Sequence, residues 1–213
     1  GTISINSGGT YTNSTSATLT LSCTDTSGCA QMQFSNDNST WSTAEIYATS
    51  KAWTLSNSDG TKTVYVKFKD NAGNWSTSYS GTITLDATAS TTTASPAGGT
   101  YNSTQSVTLT CSDGTGSGCD KIYYTVDGST PTTLSTIYTT PITVSSTTTL
   151  KFFAVDPAGN NETVTSVSYT IDTVQPAFTS TAPASNSHIN TVTVGYTLSE
   201  AVASGKITYT RTG

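Results

Sequence analysis

The sequence predicts an all-β chain of antiparallel β-sandwiches set end to end. Three observations predict it: a composition rich in hydroxyls and poor in charge, apolar residues that alternate with period two, and an internal repeat. Thr and Ser supply 81 of 213 residues, while charged residues make up 10% against a usual ~25%. β-Branched Thr is stiff at χ1 and fits the pleated, half-exposed surface of a strand. No window carries apolar residues at i, i+3, i+4 and i+7 over three turns, and no apolar run approaches the ~20 residues needed to cross a bilayer, so no membrane insertion is expected in this segment.

The repeat organises everything else. Residues 8–23 read GGTYTNSTSATLTLSC and residues 98–111 read GGTYNSTQSVTLTC, each followed by Ser-Gly-Cys at 27–29 and 117–119. KFKDNAGNWS at 67–76 matches FAVDPAGNNE at 153–162, and Leu85-Asp86 matches Ile171-Asp172, both offset by 86 residues. A third copy begins after Asp172: Pro183-Ala184 echoes Pro96-Ala97, TVTVGYT at 191–197 echoes SVTLTCS at 106–112, and GKITYT at 205–210 echoes DKIYYT at 120–125. The expected units are therefore 1–86, 87–172 and an incomplete 173–213, joined by short linkers around 86–92 and 172–178. The third unit holds about 40 of an expected ~86 residues, which implies a longer natural polypeptide.

Within a unit, strand signals recur every 8–12 residues between Gly, Asn, Asp, Ser and Pro clusters, the spacing of a sandwich. In the first unit Ala17, Leu19 and Leu21 are expected to point inward, then Met32 and Phe34, Trp53 and Leu55, Val64, Val66 and Phe68, and finally Ile83 and Leu85. The second unit offers Val107 and Leu109, Ile122 and Tyr124, Leu150 and Phe152, then Val167, Tyr169 and Ile171. Period two implies one buried face and one wet face per strand. Asn36-Asp37-Asn38 and Asp127-Gly128 mark turns, and Asp70–Asn74 and Asp156–Asn160 join the last two strands through a Gly able to take positive φ.

With a net charge of −5 and eight Lys plus Arg, the chain has no basic stripe able to neutralise phosphates, so nucleic acid is not an expected partner. The four cysteines fall in two close pairs, Cys23 with Cys29 and Cys111 with Cys119. An even count in two similar local settings reads as disulfides and as an oxidising compartment. Zinc is the rival reading, but it wants Cys-x₂₋₄-Cys pairs backed by further Cys or His, and the one histidine, His188, lies far along the chain. No Lys, Arg or His lies close enough in sequence to lower a thiol pKa, Lys121 being the nearest. That the sequence opens in strand-like residues says nothing against secretion.

On FSNDNSTW at 34–41, DGTKTVYVKFKDNAGN at 59–74 and ITLD at 83–86, the first unit resembles the bacterial immunoglobulin-like repeats of large secreted and surface-anchored proteins. On YYTVDGSTPT at 123–132, Ile137-Tyr138, Pro141-Ile142, TTTLKFFAVD at 147–156 and AGN at 158–160, the second resembles the chitobiase/β-hexosaminidase C-terminal type of domain, and the third looks like the front half of another bacterial immunoglobulin-like repeat. The resemblance implies tandem immunoglobulin-like antiparallel β-sandwiches and a module that accompanies catalytic domains without carrying catalytic residues. One departure is that antibody domains bridge their sheets with one disulfide, whereas here both cysteines of each pair fall around a single loop.

The residues offer four kinds of candidate site. The cysteine clips close loops of seven and nine residues, which stabilises a domain by roughly 2–2.5 kcal/mol in the chain-entropy model. Asp37, Asp70, Asp127 and Asp156 are weak calcium candidates, because Asp and Asn are default turn residues and no loop gathers three carboxylates; the junction residues Asp86 and Asp172 read as single. A catalytic triad or a glycosidase pair finds no support, since His188 is alone and Glu45, Glu162 and Glu200 are scattered over three units. Trp41 and Trp75 are candidate glycan-stacking platforms, while the matching positions of Tyr11 and Tyr101 suggest a shared packing role. The sequons at Asn13, Asn38, Asn74, Asn102 and Asn161 carry little weight in a chain this rich in Ser and Thr.

The expected function is that of a non-catalytic, cofactor-free, extracellular stalk, spacer or filament shaft, whose partners are neighbouring repeats of one long chain and surface glycans. Two alternatives stand beside it. One is an accessory region of a secreted glycoside hydrolase. The other is a fibre subunit whose open half-repeat after Val174 is completed by strands from another chain.

Overall fold

The structure is a computed structural model that describes residues 1–182, 195–202 and 204–206. His188, most of the 191–197 segment and most of the 205–210 segment lie outside the described residues.

The first unit contains β1 (Thr2–Ile5), β2 (Tyr11–Thr12), β3 (Ser16–Ser22), β4 (Cys29–Ser35), β5 (Glu45–Ile46), β6 (Ser50–Thr54), β7 (Gly60–Asp70) and β8 (Tyr79–Leu85). They form a three-stranded sheet, β1-β3-β6, facing a five-stranded sheet, β2-β8-β7-β4-β5. The second unit contains β9 (Thr91–Ser95), β10 (Gly99–Tyr101), β11 (Gln105–Ser112), β12 (Lys121–Thr125), β13 (Thr136–Ile137), β14 (Ile142–Val144), β15 (Thr148–Val155) and β16 (Thr165–Ile171). Its sheets run β9-β11-β14 and β10-β16-β15-β12-β13, the same order strand for strand. Both units are immunoglobulin-like sandwiches. Beyond them β17 (Phe178–Ala182) pairs antiparallel with β18 (Gly195–Leu198).

In each unit the first strand changes sheets. β1 pairs antiparallel with β3, and β2 then crosses to pair parallel with β8. The crossing is made by Asn6–Gly8, whose three residues all take positive φ. In the second unit the crossing runs through Pro96-Ala97-Gly98. A Cβ on Gly98 would stand 2.7 Å from the Ser168 carbonyl oxygen and 2.7 Å from Val167 Cγ1, so β16 leaves room there for glycine alone. All other named pairings within the two units, apart from β2–β8 and the parallel β10–β16, are antiparallel.

Alternation predicts the first core well. Ala17, Leu19, Leu21, Met32, Phe34, Leu55, Val64, Val66, Phe68, Ile83 and Leu85 are all buried, and Trp53 is half-buried against Phe34 with ring centroids 5.4 Å apart. In the second core Val107, Leu109, Leu150, Phe152 and Tyr169 are buried, while Ile122, Tyr124, Val167 and Ile171 pack half-buried around them. One expectation is corrected here, because the strands of this unit do not keep a wet outer face throughout. Tyr123 and Phe153, cross-strand partners on β12 and β15, stack at 5.5 Å and are buried on the face opposite Tyr124 and Phe152. Tyr169, fully enclosed, donates its hydroxyl to the Pro96 carbonyl oxygen at 2.7 Å, so its polar end is satisfied inside the core.

Candidate functional site

Cys23–Cys29 and Cys111–Cys119 are disulfide-bonded, with Cα atoms 6.4 and 6.3 Å apart. Cys23 follows the last residue of β3 and Cys29 opens β4, strands that belong to opposite sheets. The loop read from sequence as a local one is thus a crossing between sheets, and each clip pins the two sheets together at one end of its unit.

Three of the four predicted acidic positions close turns. Asp37 Oδ1 accepts from Ser35 Oγ, Ser39 N–H and Thr40 N–H at 2.8, 2.8 and 2.7 Å. Asp127 Oδ1 accepts from the hydroxyl and N–H of Ser129 at 2.6 and 3.0 Å. Asp70 accepts from the Asn74 N–H and side-chain amide at 2.8 and 3.0 Å. These donors hold all three carboxyls below the usual carboxylate range: Thr40 first and then Ser39 for Asp37, the Asn74 side chain and then its N–H for Asp70, the Ser129 hydroxyl and then its N–H for Asp127.

The aromatic candidates are fixed by a common device. Ser42, next to Trp41, exchanges two hydrogen bonds with the Phe34 backbone at 3.0 and 2.8 Å; Ser76, next to Trp75, does the same with Phe68 at 3.1 and 2.8 Å. The tryptophans then lie beside β7 lysines. Lys67 Nζ sits 4.3 Å from the Trp41 ring centroid and Lys69 Nζ 5.9 Å from that of Trp75, so each ring presents a face to a cation of its own chain. In the second unit Glu162 replaces the serine: its N–H donates to the Ala154 carbonyl, while its carboxylate accepts from Ala154 N–H at 2.9 Å and Thr92 N–H at 2.7 Å. Glu162 thereby ties β15 to β9 across the sandwich. Of the other glutamates, Glu45 pairs with Lys51 at 2.6 Å. Tyr101 stacks on Tyr169 with centroids 6.2 Å apart, whereas Tyr11 is 38% exposed.

The fourth acidic position behaves differently. Among the described residues, Asp86, Asp113 and Asp156 bring one carboxylate oxygen each to within 4.8 Å of one another. The reading of Asp86 as a single residue is corrected: its neighbours come from loops 27 and 70 positions away, which no local spacing reveals. Asp86 is the first residue past β8 and its N–H still donates to Thr12 O at 2.9 Å, so its backbone belongs to the first unit. Its side chain belongs to the second. Oδ2 accepts Ser117 N–H at 2.7 Å, Oδ1 accepts Thr88 N–H at 3.2 Å, and its carbonyl oxygen accepts the Asn160 side-chain amide at 2.8 Å. Asp156 opens the Asp-Pro-Ala-Gly-Asn turn, in which Gly159 at φ +92° brings Asn160 back to donate N–H and side-chain amide to its two oxygens at 2.9 and 2.8 Å. Asp113, in the loop closed by the second disulfide, accepts Gly118 N–H on Oδ2 at 2.7 Å.

Asp86 and Asp156 are 1% and 2% exposed. The described salt bridges, Lys51–Glu45 and Lys121–Asp120, lie elsewhere. Burial opposes ionisation of Asp86, and the hydrogen bonds from Ser117 and Thr88 outweigh it, holding its carboxyl below the ordinary range. Three ionised groups this close repel one another by about 3 kcal/mol per pair at an effective dielectric near 20. The sequence does carry a trace of the arrangement: Cys23-Thr24-Asp25 and Cys111-Ser112-Asp113 repeat a Cys-x-Asp spacing, and both units contain Asp-x-Ala-Gly-Asn.

Residues 96–166 match the family model described as chitobiase/beta-hexosaminidase C-terminal domain. The middle unit is an immunoglobulin-like domain that resembles the chitobiase C-terminal type. The match covers about a third of the chain, all of it inside this chitobiase-type unit. Among solved structures, the fibronectin(III)-like modules of Clostridium thermocellum CbhA are similar over 80% of this chain and 94% of their own, at 14% identity and a TM-score of 0.47. No curated protein matches the chain.

Proposed function

We propose that the chain is a non-catalytic, extracellular spacer or stalk region of a larger bacterial surface protein, made of repeats at 1–86, 87–172 and 173–213. The observation that carries this reading is that two successive units share one strand order and meet through the buried side chain of Asp86, which supports an array built by repeating such a unit. Two disulfides favour an oxidising compartment. Apart from the junction triad and Glu200, the acidic side chains of the described residues close turns, tie segments together or pair with lysine. Neighbouring repeats of the same chain and surface glycans are the partners this reading assigns.

Small-angle scattering of the purified chain tests it. Two sandwiches in line give an elongated particle with a maximum dimension about twice that of one unit, and a compact particle would overturn the reading. A second reading, accessory region of a secreted glycoside hydrolase, is favoured by the chitobiase-type match over 96–166. Affinity electrophoresis in gels containing chitin-type and other glycans separates the two, since retardation that Trp41→Ala or Trp75→Ala abolishes belongs to a glycan-binding module. Filaments in electron micrographs of the purified chain would instead favour fibre assembly.

A further inference from the structure

Three carboxylates meet where the first unit ends and the second begins, and each accepts at least one backbone N–H bond. A second observation is independent of this clustering. Asp113 Oδ1 is sealed from solvent and has no hydrogen-bond partner, although its sister oxygen is bonded. A shielded, unpartnered carboxylate oxygen beside two nine-tenths-buried carboxylates is a setting that a bound cation stabilises. The chain supplies no lysine or arginine bridge to it among the described residues. Each carboxylate retains free lone pairs after accepting its N–H bonds. Three such groups supply the hard, flexible oxygen set suited to Ca²⁺, a cation that takes six to eight oxygens.

We propose that Asp86, Asp113 and Asp156 bind one Ca²⁺ at the joint between the first two units, and that this ion fixes the second unit on the first. Part of the ligand set recurs in the first unit. Asp25 and Asp70 occupy the places of Asp113 and Asp156 in the first unit and line one depression with Gly1. Asp172 stands 86 residues after Asp86, and Glu200 lines one depression with it. Glu200 Oε1 is likewise shielded and without a partner. The site therefore lies at the joint: the closing Asp of the first unit with two acids from loops of the second. In the first unit the N–H of Ser27, counterpart of Ser117, is taken by Asp25 Oδ1 at 2.8 Å, where Ser117 is taken by Asp86.

The test titrates the chelator-treated 213-residue chain with CaCl₂. Calorimetry is expected to show binding with Kd at or below the ~10⁻⁴–10⁻³ M of extracellular modules. At 10 mM CaCl₂ the Tm rises by roughly 5 °C or more, and NaCl of matched ionic strength leaves it unchanged. Asp113→Asn and Asp156→Asn lose the binding, while Asp37→Asn and Asp127→Asn keep it. Should the junction variants fail to fold, the wild-type amide spectrum decides: Ca²⁺ shifts concentrate at Thr88, Ser117, Gly118 and Asn160, the N–H groups that touch the three carboxylates. No heat and no rise in Tm at 10 mM CaCl₂, binding that survives both junction variants, or shifts confined to the Asp37 and Asp127 turns would each overturn the proposal.

Discussion

Glu162 and the turn aspartates show how much a single carboxylate does when its acceptors face backbone N–H groups. Glu162 receives Thr92 N–H and Ala154 N–H, one from each sheet. Glu162→Ala strands both donors and is expected to cost the second unit about 2 kcal/mol in chemical denaturation, with Glu162→Gln recovering part of it. Asp37 and Asp127 act locally. Their folded pKa lies below the unfolded value of about 3.9, so their contribution is complete above that value and drains away as pH falls toward the depressed folded value. Between pH 5 and pH 2.5 the melting temperature of an Asp37→Asn/Asp127→Asn variant is expected to fall less than that of the wild type. An equal fall in both proteins would show that these turns do not govern acid sensitivity.

At the scale of elements, the sandwich manages its weak points by length and by covalent closure. The edge strands β5 and β13 have two residues each, too short to template pairing with another chain. Ile46 and Leu134, 83% and 96% exposed in and near those edges, are expected to tolerate substitution by Lys within about 0.5 kcal/mol. The disulfides sit at the other extreme. Each joins strands of opposite sheets, so replacing both cysteines of one pair by Ala is expected to destabilise that unit by roughly 2–2.5 kcal/mol and leave the other unit's transition in place, read by calorimetry. Gly98→Ala drives a methyl into the backbone of β16 and is expected to lower the second transition by several degrees.

For the whole molecule the joint matters more than either sandwich. Asp86 has its backbone in one unit and its carboxylate bonded in the next, so it makes the stability of the second unit depend on the first. In chelator-treated protein, Asp86→Ala is expected to lower the melting temperature of the second unit by several degrees and that of the first by less, because Ser117 N–H loses its acceptor. Stability in such an array is a sum of units and nearest-neighbour joints, and the variant isolates the joint.

Strand content, the buried alternation of β3, β7 and β8, both cysteine pairs and the repeated order of landmarks were legible in the sequence, because each rests on period-two patterning or on spacing within one loop. Tyr123 and Phe153 were not. Their burial depends on what covers the outer face of the sheet, and alternation assigns only sides. The carboxylate triad escapes a sequence reading for a related reason: Asp86, Asp113 and Asp156 each sit in an ordinary turn or strand end, Asp113 and Asp156 meet only once the second sandwich has folded, and Asp86 reaches them only from the end of the first. Local chemistry and periodicity are written into neighbouring residues, so the sequence by itself determined the fold of each unit. Which distant acids share a buried site is a matter of how the units meet, and only the tertiary structure decided it.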